Sequence, residues 1–385
     1  MKYTTPKQIG DYNKNMLLSV LRSGGPTSRV ELSRQLELSP TAVTKNTARL
    51  LENGIIEECG SEESNMGRKP TLIKLCEDFC YVVGVDIVGG VLKVALANFS
   101  GTIVKYSEEP ACEDCDAEAF LDQVIKLLQK HIDASGVPVE KIWAIIIGAP
   151  GIFDSESGKS RSTFFLDGWE DIDIRKRILD ALSIETIIEN DVNLDVIGEN
   201  WHNVAKEYDS ILYVKLGQGF AARIVLQGKL LRGFHNMAGE IGYMLPDLTN
   251  ESTQMKNYEN MLCNEAIAHK YADLKGKNKV KGIADVCRLA KKGDDVADVV
   301  MQDLFSQFAI AMHNSVVVFD PQVIILGGDA CCFSKKEIKL IKQKMKTYFP
   351  YNQNIVTSRL GNESCLYGAV KVGIDYVEDR ITNIW

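Results

Sequence analysis

No stretch of about 18 consecutive apolar residues runs through this sequence. The closest approach, "FAIAMHNSVVVFDPQVIIL", is broken by His313, Asn314, Asp320 and Pro321. No leader with a basic start, an apolar middle and a small-residue cleavage site opens the chain. A soluble, cytoplasmic protein without a membrane partner is therefore expected. A disulfide framework is missing as well. The ten cysteines are scattered along 385 residues with no secretory signal, so reduced thiols are expected. Cys112 and Cys115 form the one C-x-x-C pair. No second pair completes a tetrahedral zinc site and no thioredoxin-like pattern surrounds them, so they read as part of a loop.

Positive charge is in short supply, with 44 Lys and Arg against 52 Asp and Glu and a net charge of -8. The deficit is uneven: residues 1–75 hold 11 basic against 8 acidic side chains, leaving the remainder at -11. A mildly basic head on an acidic body suits a small nucleic-acid module joined to something that does not bind nucleic acid. The length allows two or three domains, and 45% apolar residues is a globular composition.

The head reads as three short amphipathic helices. Met16, Leu17, Val20 and Leu21 line the first, which Gly24-Gly25-Pro26 ends. Ser28 caps a second, whose Val30, Leu32 and Leu36 can face inward, and Glu37-Leu38-Ser39 breaks it. Ser39 caps a third, with Pro40 at its first position, running to about Asn53. Val43, Leu50 and Leu51 are its apolar residues, while Thr41, Thr44, Lys45, Thr47 and Arg49 offer donors. Helix, tight turn and helix is the helix-turn-helix arrangement, whose second helix enters the major groove of double-stranded DNA. "GIIEECGSEESNMGRKPTLIKL" follows as two strands around a polar loop, a wing whose Arg68 and Lys69 can reach phosphates or the minor groove. The same helical pattern also serves as a hairpin for protein contacts. Ser39, Thr41, Thr44, Lys45, Arg49, Arg68 and Lys69 are the candidate DNA-binding residues.

From Tyr81 the pattern turns to strands. "YVVGVDIVGGVLKVALANFSGTIVKY" holds three apolar runs, a helix follows over about 117–134, and "KIWAIIIGAPGIF" reads as a buried strand. "SILYVKLGQGFAARIVLQGKLLRG" repeats the theme, predicting two α/β lobes that face each other across a cleft. Glycines at these turns let backbone amides approach phosphate, and equally serve as plain hairpin turns. "AGEIGY" raises a separate question, since it puts Glu240 between two glycines in an apolar run. A carboxylate there needs donors, from a capped or salt-bridged turn or from a polar ligand.

"GVDIVGG", "IGAPGIFD", "ENDVN", "LGQGFAARIVLQGKLLRG", "NMAGEIGY" and "DPQVIILGGD" stand in the order and spacing of one family. Over about residues 79–385 the chain resembles the ROK family, which groups bacterial sugar kinases with sugar-responsive transcriptional repressors. The winged helix in front resembles the repressor branch. The resemblance implies a winged helix-turn-helix followed by a two-lobed, actin-like (ribonuclease H-like) sugar-kinase fold of the α/β class. The implied domains are residues 1–75, 79–188 with about 360–385, and 189–359.

By the same resemblance Asp191 of "ENDVN" is the base that takes the sugar proton in the kinases, kept here as a vestigial base or a sugar ligand. Gly151, Asn190, Glu240 and Glu259, the last seven residues before Ala266-Ile267, fall at sugar-contacting positions. The departures are as specific. Tyr243 stands where the family has histidine, and "LPDLTNESTQMKNYENMLC" keeps one cysteine of the zinc loop, so neither a metal nor any other cofactor is expected. Asp86, Gly89, Gly90, Gly217, Gly219, Gly327 and Gly328 match nucleotide-binding positions in degenerate form. Val88 adds bulk in the first phosphate turn, Gln218 and Ala221 replace threonine and glycine in the second, and Arg223 lies just beyond. Phe165 replaces an asparagine near the sugar, so Phe165 and Tyr243 either stack on a sugar or close the pocket.

The expected function is a repressor, binding operator DNA and a sugar or sugar-phosphate effector as a homodimer or tetramer. The alternative is an ATP-dependent sugar kinase with an appended DNA-binding head, using Asp191 as base and Asp86 near magnesium. A repressor controlled by a partner protein is a third reading. The apolar helix around Met301 to Val318 serves either the core or a subunit interface.

Overall fold

The computed structural model describes residues 6–61, 70–112, 115–153, 160–162, 168–169, 172–202, 207–246, 257–276, 280–347 and 351–383. The head consists of α1 (Pro6–Gly24), β1 (Thr27–Ser28), α2 (Arg29–Leu36), α3 (Pro40–Glu52), β2 (Ile56–Ser61) and β3 (Thr71–Leu75). Ser28 and Ser39 cap α2 and α3 through their hydroxyls, accepting from the backbone N–H groups of Glu31 and Ala42 at 3.3 and 3.2 Å. β1, β3 and β2 form an antiparallel sheet in that order, the wing.

The first body sheet opens with the antiparallel meander β4 (Tyr81–Asp86), β5 (Val91–Asn98) and β6 (Ile103–Pro110). After α4 (Ala117–Asp133), β7 (Ile142–Ala149) pairs parallel to β4. The small β8 (Ile152–Phe153) and β9 (Ser160–Ser162) pair with each other, α5 (Ile174–Leu182) follows, and β10 (Thr186–Asn190) lies parallel to β7. Strand order is β10-β7-β4-β5-β6. β4 is buried along its whole length, and its alternation feeds two cores. Tyr81, Val83 and Val85 join Phe120, Leu121 and Val124 of α4, while Val82 joins the layer beneath the head.

After α6 (Asp191–His202) the second sheet repeats the plan. β11 (Ser210–Leu216), β12 (Phe220–Leu226) and β13 (Lys229–Leu231) form the meander. The short α7 (Glu259–Leu262), then α8 (Asn264–Lys275), α9 (Ile283–Lys291) and α10 (Asp295–Phe319) lead to β14 (Val323–Gly328), parallel to β11. α11 (Lys335–Lys346) leads to β15 (Ile355–Thr357), and α12 (Ser364–Asn383) ends the chain. The order β13-β12-β11-β14-β15 matches that of the first sheet, so the predicted two-lobed architecture is present. α10 packs Val300, Leu304, Phe308 and Met312 into the second core, with Val317 and Val318 exposed at its end.

α6 faces both sheets. Val192 and Val196 pack with Ile211, Tyr213 and Ile325 of the second sheet, and Leu194 packs with Ala144 and Ile146 of the first and with Cys365 and Ala369 of α12. α6 and α12 cross at glycines: a Cβ on Gly368 would lie 1.9 Å from the Leu194 carbonyl oxygen, and one on Gly198 2.2 Å from that of Ser364. The head is not a loose appendage, since Leu17, Leu21, Leu32, Val43 and Ile73 share one apolar cluster with Phe99, Val370, Ile374 and Val377.

Three expectations are corrected. Val30 is exposed, because it stands two residues, about 200°, from the buried Leu32 on a helix. Thr47 is fully buried: its hydroxyl donates to the Val43 carbonyl at 2.8 Å and accepts from Arg29 Nε at 3.2 Å. Cys112 and Cys115 lie outside helices and strands, as expected, but instead of free thiols they are joined as a disulfide, their Cα atoms 5.9 Å apart and within bridging reach.

Candidate functional site

Two surfaces concern function. On α3, Val43, Thr47 and Leu50 fix the helix to the head, and Thr41, Thr44, Lys45 and Arg49 are left exposed on the other side. Ser39 is exposed at the cap. Arg68 and Lys69 lie outside the described residues, as does Phe165.

The second surface is built where the end of β10 and the start of α6 meet the meander of the second sheet. Asn190 caps α6: its Oδ1 accepts from the N–H groups of Val192 and Asn193, both at 3.0 Å, and its Nδ2 donates to the Gly151 carbonyl at 2.9 Å. Gly151, Asn190 and Asp191 are thereby brought together. Glu240 joins them through Arg223, whose side chain is 3% exposed. Arg223 Nη2 donates to Asn190 Oδ1 at 2.9 Å and to Glu240 Oε1 at 2.8 Å, Nε donates to Asn193 Oδ1 at 2.6 Å, and Nη1 to the Ala222 carbonyl at 2.6 Å. The charge placed between two glycines is thus the anion of a buried arginine. Gly239 and Gly242 let its loop lie against β12, where a Cβ would stand 2.4 Å from the Ala222 oxygen and 2.3 Å from that of Phe220.

Glu259 sits in the same region and accepts from the Phe220 N–H at 2.7 Å. Burial raises its pKa, and that hydrogen bond opposes the shift. Tyr243 is 47% exposed.

Asp191 is paired as well. The ammonium of Lys215, from β11, lies 2.8 Å from Asp191 Oδ2 and 2.7 Å from Asp195 Oδ2. Burial works against the charge on Lys215, but the two aspartates outweigh it and hold its pKa well above the ordinary value. Asp195 is pushed up to about 7 by burial, against the pull of Lys215. Asp86 is also raised by burial, with Lys215 and Lys93 opposing; the Lys93 ammonium stands 3.6 Å away, and the Val88 N–H donates to its Oδ1 at 3.1 Å.

The glycines matched to nucleotide positions fall into two groups. Gly89 and Gly90, at φ 83° and 78°, have open space where a Cβ would stand. Three others are crowded: such a Cβ would meet Glu259 Oε1 at 2.7 Å on Gly219, the Tyr213 hydroxyl at 2.0 Å on Gly327 and the Leu216 oxygen at 2.4 Å on Gly328. At Gly217 the nearest atom, an Asp329 oxygen, is 3.4 Å away.

Motif spacing did not point to Lys215, Arg232 or Asp195, and it left Glu189 and Asn193, the first and last residues of "ENDVN", without a role. Arg232 Nη2 lies 2.5 Å from Glu189 Oε2, and Asn193 Nδ2 donates to Glu189 Oε1 at 2.7 Å. A signal was present for two of the cations: Lys215 and Arg223 interrupt strands whose neighbours are all apolar. No group of three or more side chains suited to a metal occurs among the described residues. No described helix is long and apolar enough to cross a membrane.

A family model described as the ROK family matches residues 82–375, and one described as winged helix-turn-helix DNA-binding matches residues 11–57. The xylose repressor of Caldicellulosiruptor bescii is 26% identical, with 97% of each chain covered. Among solved structures, a ROK family transcriptional regulator homologous to the Escherichia coli MLC protein superposes with a TM-score of 0.81 at 20% identity, covering 98% of each chain. The ROK hexokinase of Thermus thermophilus superposes with a TM-score of 0.63 at 24% identity, covering 78% of this chain and 99% of its own. At these identities the two superpositions speak for the fold alone.

Proposed function

The chain belongs to the ROK family, and from that premise we propose that it is a sugar-responsive transcriptional repressor whose winged helix reads an operator and whose kinase-like body holds the effector. The observation that carries the reading is α3: a helix capped by Ser39 and anchored by Val43, Thr47 and Leu50, with Thr41, Thr44, Lys45 and Arg49 free to meet DNA. Likeness to a xylose repressor along nearly the whole chain supports it.

The coupling follows from packing. The head shares its core with α12 and the first sheet, so it moves with that lobe. α6 touches both sheets, starts at Asp191 and is capped by Asn190. A sugar that binds one arrangement of the lobes more tightly shifts the head relative to the second lobe. In a homodimer, the assembly that paired operator half-sites call for, this changes the spacing of two recognition helices. Such a protein works in the cytoplasm.

The kinase alternative rests on the retention of Asp191. Against it, Val88, Gln218 and Ala221 stand where the family pattern has glycine, threonine and glycine. Phosphoryl transfer depends on cradling the phosphates, and these changes add bulk to both phosphate turns and remove a hydroxyl from the second. Asp191→Asn separates the readings. A repressor keeps operator binding and loses only its sugar response, while a kinase loses turnover of ATP with sugar; sugar-dependent ADP formation in the wild type that this variant abolishes would overturn the proposal.

A further inference from the structure

Glu189, Asn190 and Asp191 are consecutive, and each takes a cation from a different part of the second meander. Asp191 takes Lys215 of β11, Asn190 takes Arg223 of β12, and Glu189 takes Arg232 just past β13. The middle cation is the deepest. A single nitrogen of Arg223 reaches both Asn190 and Glu240, two of the positions at which the family likeness puts sugar contacts. A neutral hydroxyl offered to Glu240 therefore competes with a charge-assisted hydrogen bond, and displacing it leaves a buried guanidinium without its anion. A ligand that brings its own acid group exchanges one anion for another on Arg223, provided that the displaced Glu240 carboxylate, the more exposed partner at 15% against 3%, turns out to solvent.

We infer that Arg223 is the specificity-determining residue of this site, and that the effector is an acidic sugar whose carboxylate or phosphate takes the place of Glu240 on the guanidinium. The inference rests on the sugar-responsive reading above. Its test is calorimetry on the intact chain with xylose, glucose and N-acetylglucosamine, the matching uronic acids, and the matching sugar phosphates. An acidic member should bind about 100-fold more tightly than its neutral counterpart, in line with the strength of a hydrogen bond to a charged group. The carboxylate and phosphate arms identify the acid group.

Two variants carry the argument further. Arg223→Ala should bring acidic and neutral forms to within about threefold of each other, since the discriminating charge is gone. Glu240→Gln keeps the shape of the site, so it decides the matter if Arg223→Ala fails to fold. With the competing anion removed, the acidic ligand should bind roughly tenfold more tightly, whereas a glutamate acting as hydroxyl acceptor would make the same change weaken every sugar. Weaker acid binding in Glu240→Gln, or a neutral sugar that outbinds its acidic counterpart, overturns the inference. A neutral sugar that also releases operator DNA leaves the repressor reading intact. If no sugar of either kind binds or releases DNA, both fall.

Discussion

Replacing Arg22 by alanine tests whether head and body are one packed unit. Arg22 Nη1 lies 2.6 Å from Glu378 Oε1 on α12, and both side chains are 10% exposed. The guanidinium also stands 5.2 Å from the centre of the Phe99 ring and donates to the Phe99 carbonyl at 3.4 Å. Removing one partner of a buried ion pair costs about 3–5 kcal/mol, mostly because the other charge is stranded. Glu378 has a way to relieve that cost. Burial already raises its pKa above the ordinary 4.5, and Arg22 is the main group opposing the rise. Without Arg22 the pKa climbs further, so the native variant holds a proton that the unfolded chain has released above about pH 4.5. Its deficit is then small in acid and grows as pH rises through the folded pKa. We expect a loss of about 3 kcal/mol near pH 8 and about 1 kcal/mol near pH 5. Urea unfolding followed by tryptophan fluorescence reads the difference, since Trp143 and Trp201 pack against the same cluster. Equal losses at the two pH values, or losses below about 0.5 kcal/mol at both, would refute the reasoning.

Lys45→Ala should weaken operator binding and make the slope of log affinity against log salt shallower by about one unit, as loss of a phosphate contact does; an unchanged slope removes Lys45 from the interface. Gly368→Ala forces a methyl group to within 1.9 Å of the Leu194 oxygen and should cost at least about 2 kcal/mol, whereas Gly10→Ala, with open space around it in α1, should stabilise by about 0.5–1 kcal/mol; chemical denaturation of both compares the signs. Because the native state keeps a proton on Asp195 up to about pH 7 that the unfolded chain releases near pH 4, this group lowers stability as pH rises across that window. Asp195→Asn should therefore gain on the wild type between about pH 4 and 8 in the same assay, and a constant difference would contradict the assignment.

Much of the head was legible, because its signals are local. Ser28 and Ser39 announce two helix starts, and Val43 and Leu50 mark a buried stripe. Thr47 was readable on the same ground, standing four residues after Val43 and three before Leu50, which puts it on the buried face despite its hydroxyl. The strand meanders and the repeat of one plan in two sheets followed from runs of apolar residues between glycine turns. What the sequence left hidden is long-range pairing. The Glu240 carboxylate could have been salt-bridged or ligand-facing, and nothing nearby named Arg223, which stands on another strand 17 positions away. Lys215 is farther still from Asp191, 24 positions along the chain. Motif comparison flagged Arg223 only as a residue beyond an altered turn, since the pairing of β12 with the Glu240 loop is a product of tertiary packing.

The most direct test of the account is binding of the intact protein to DNA upstream of its own gene cluster, at fixed salt, titrated with neutral sugars, sugar acids and sugar phosphates while ADP formation is followed with ATP present. Tight, specific binding that a sugar releases without ATP turnover is the predicted result. Absence of specific DNA binding, together with sugar-dependent ADP formation, would contradict it and make the protein a kinase.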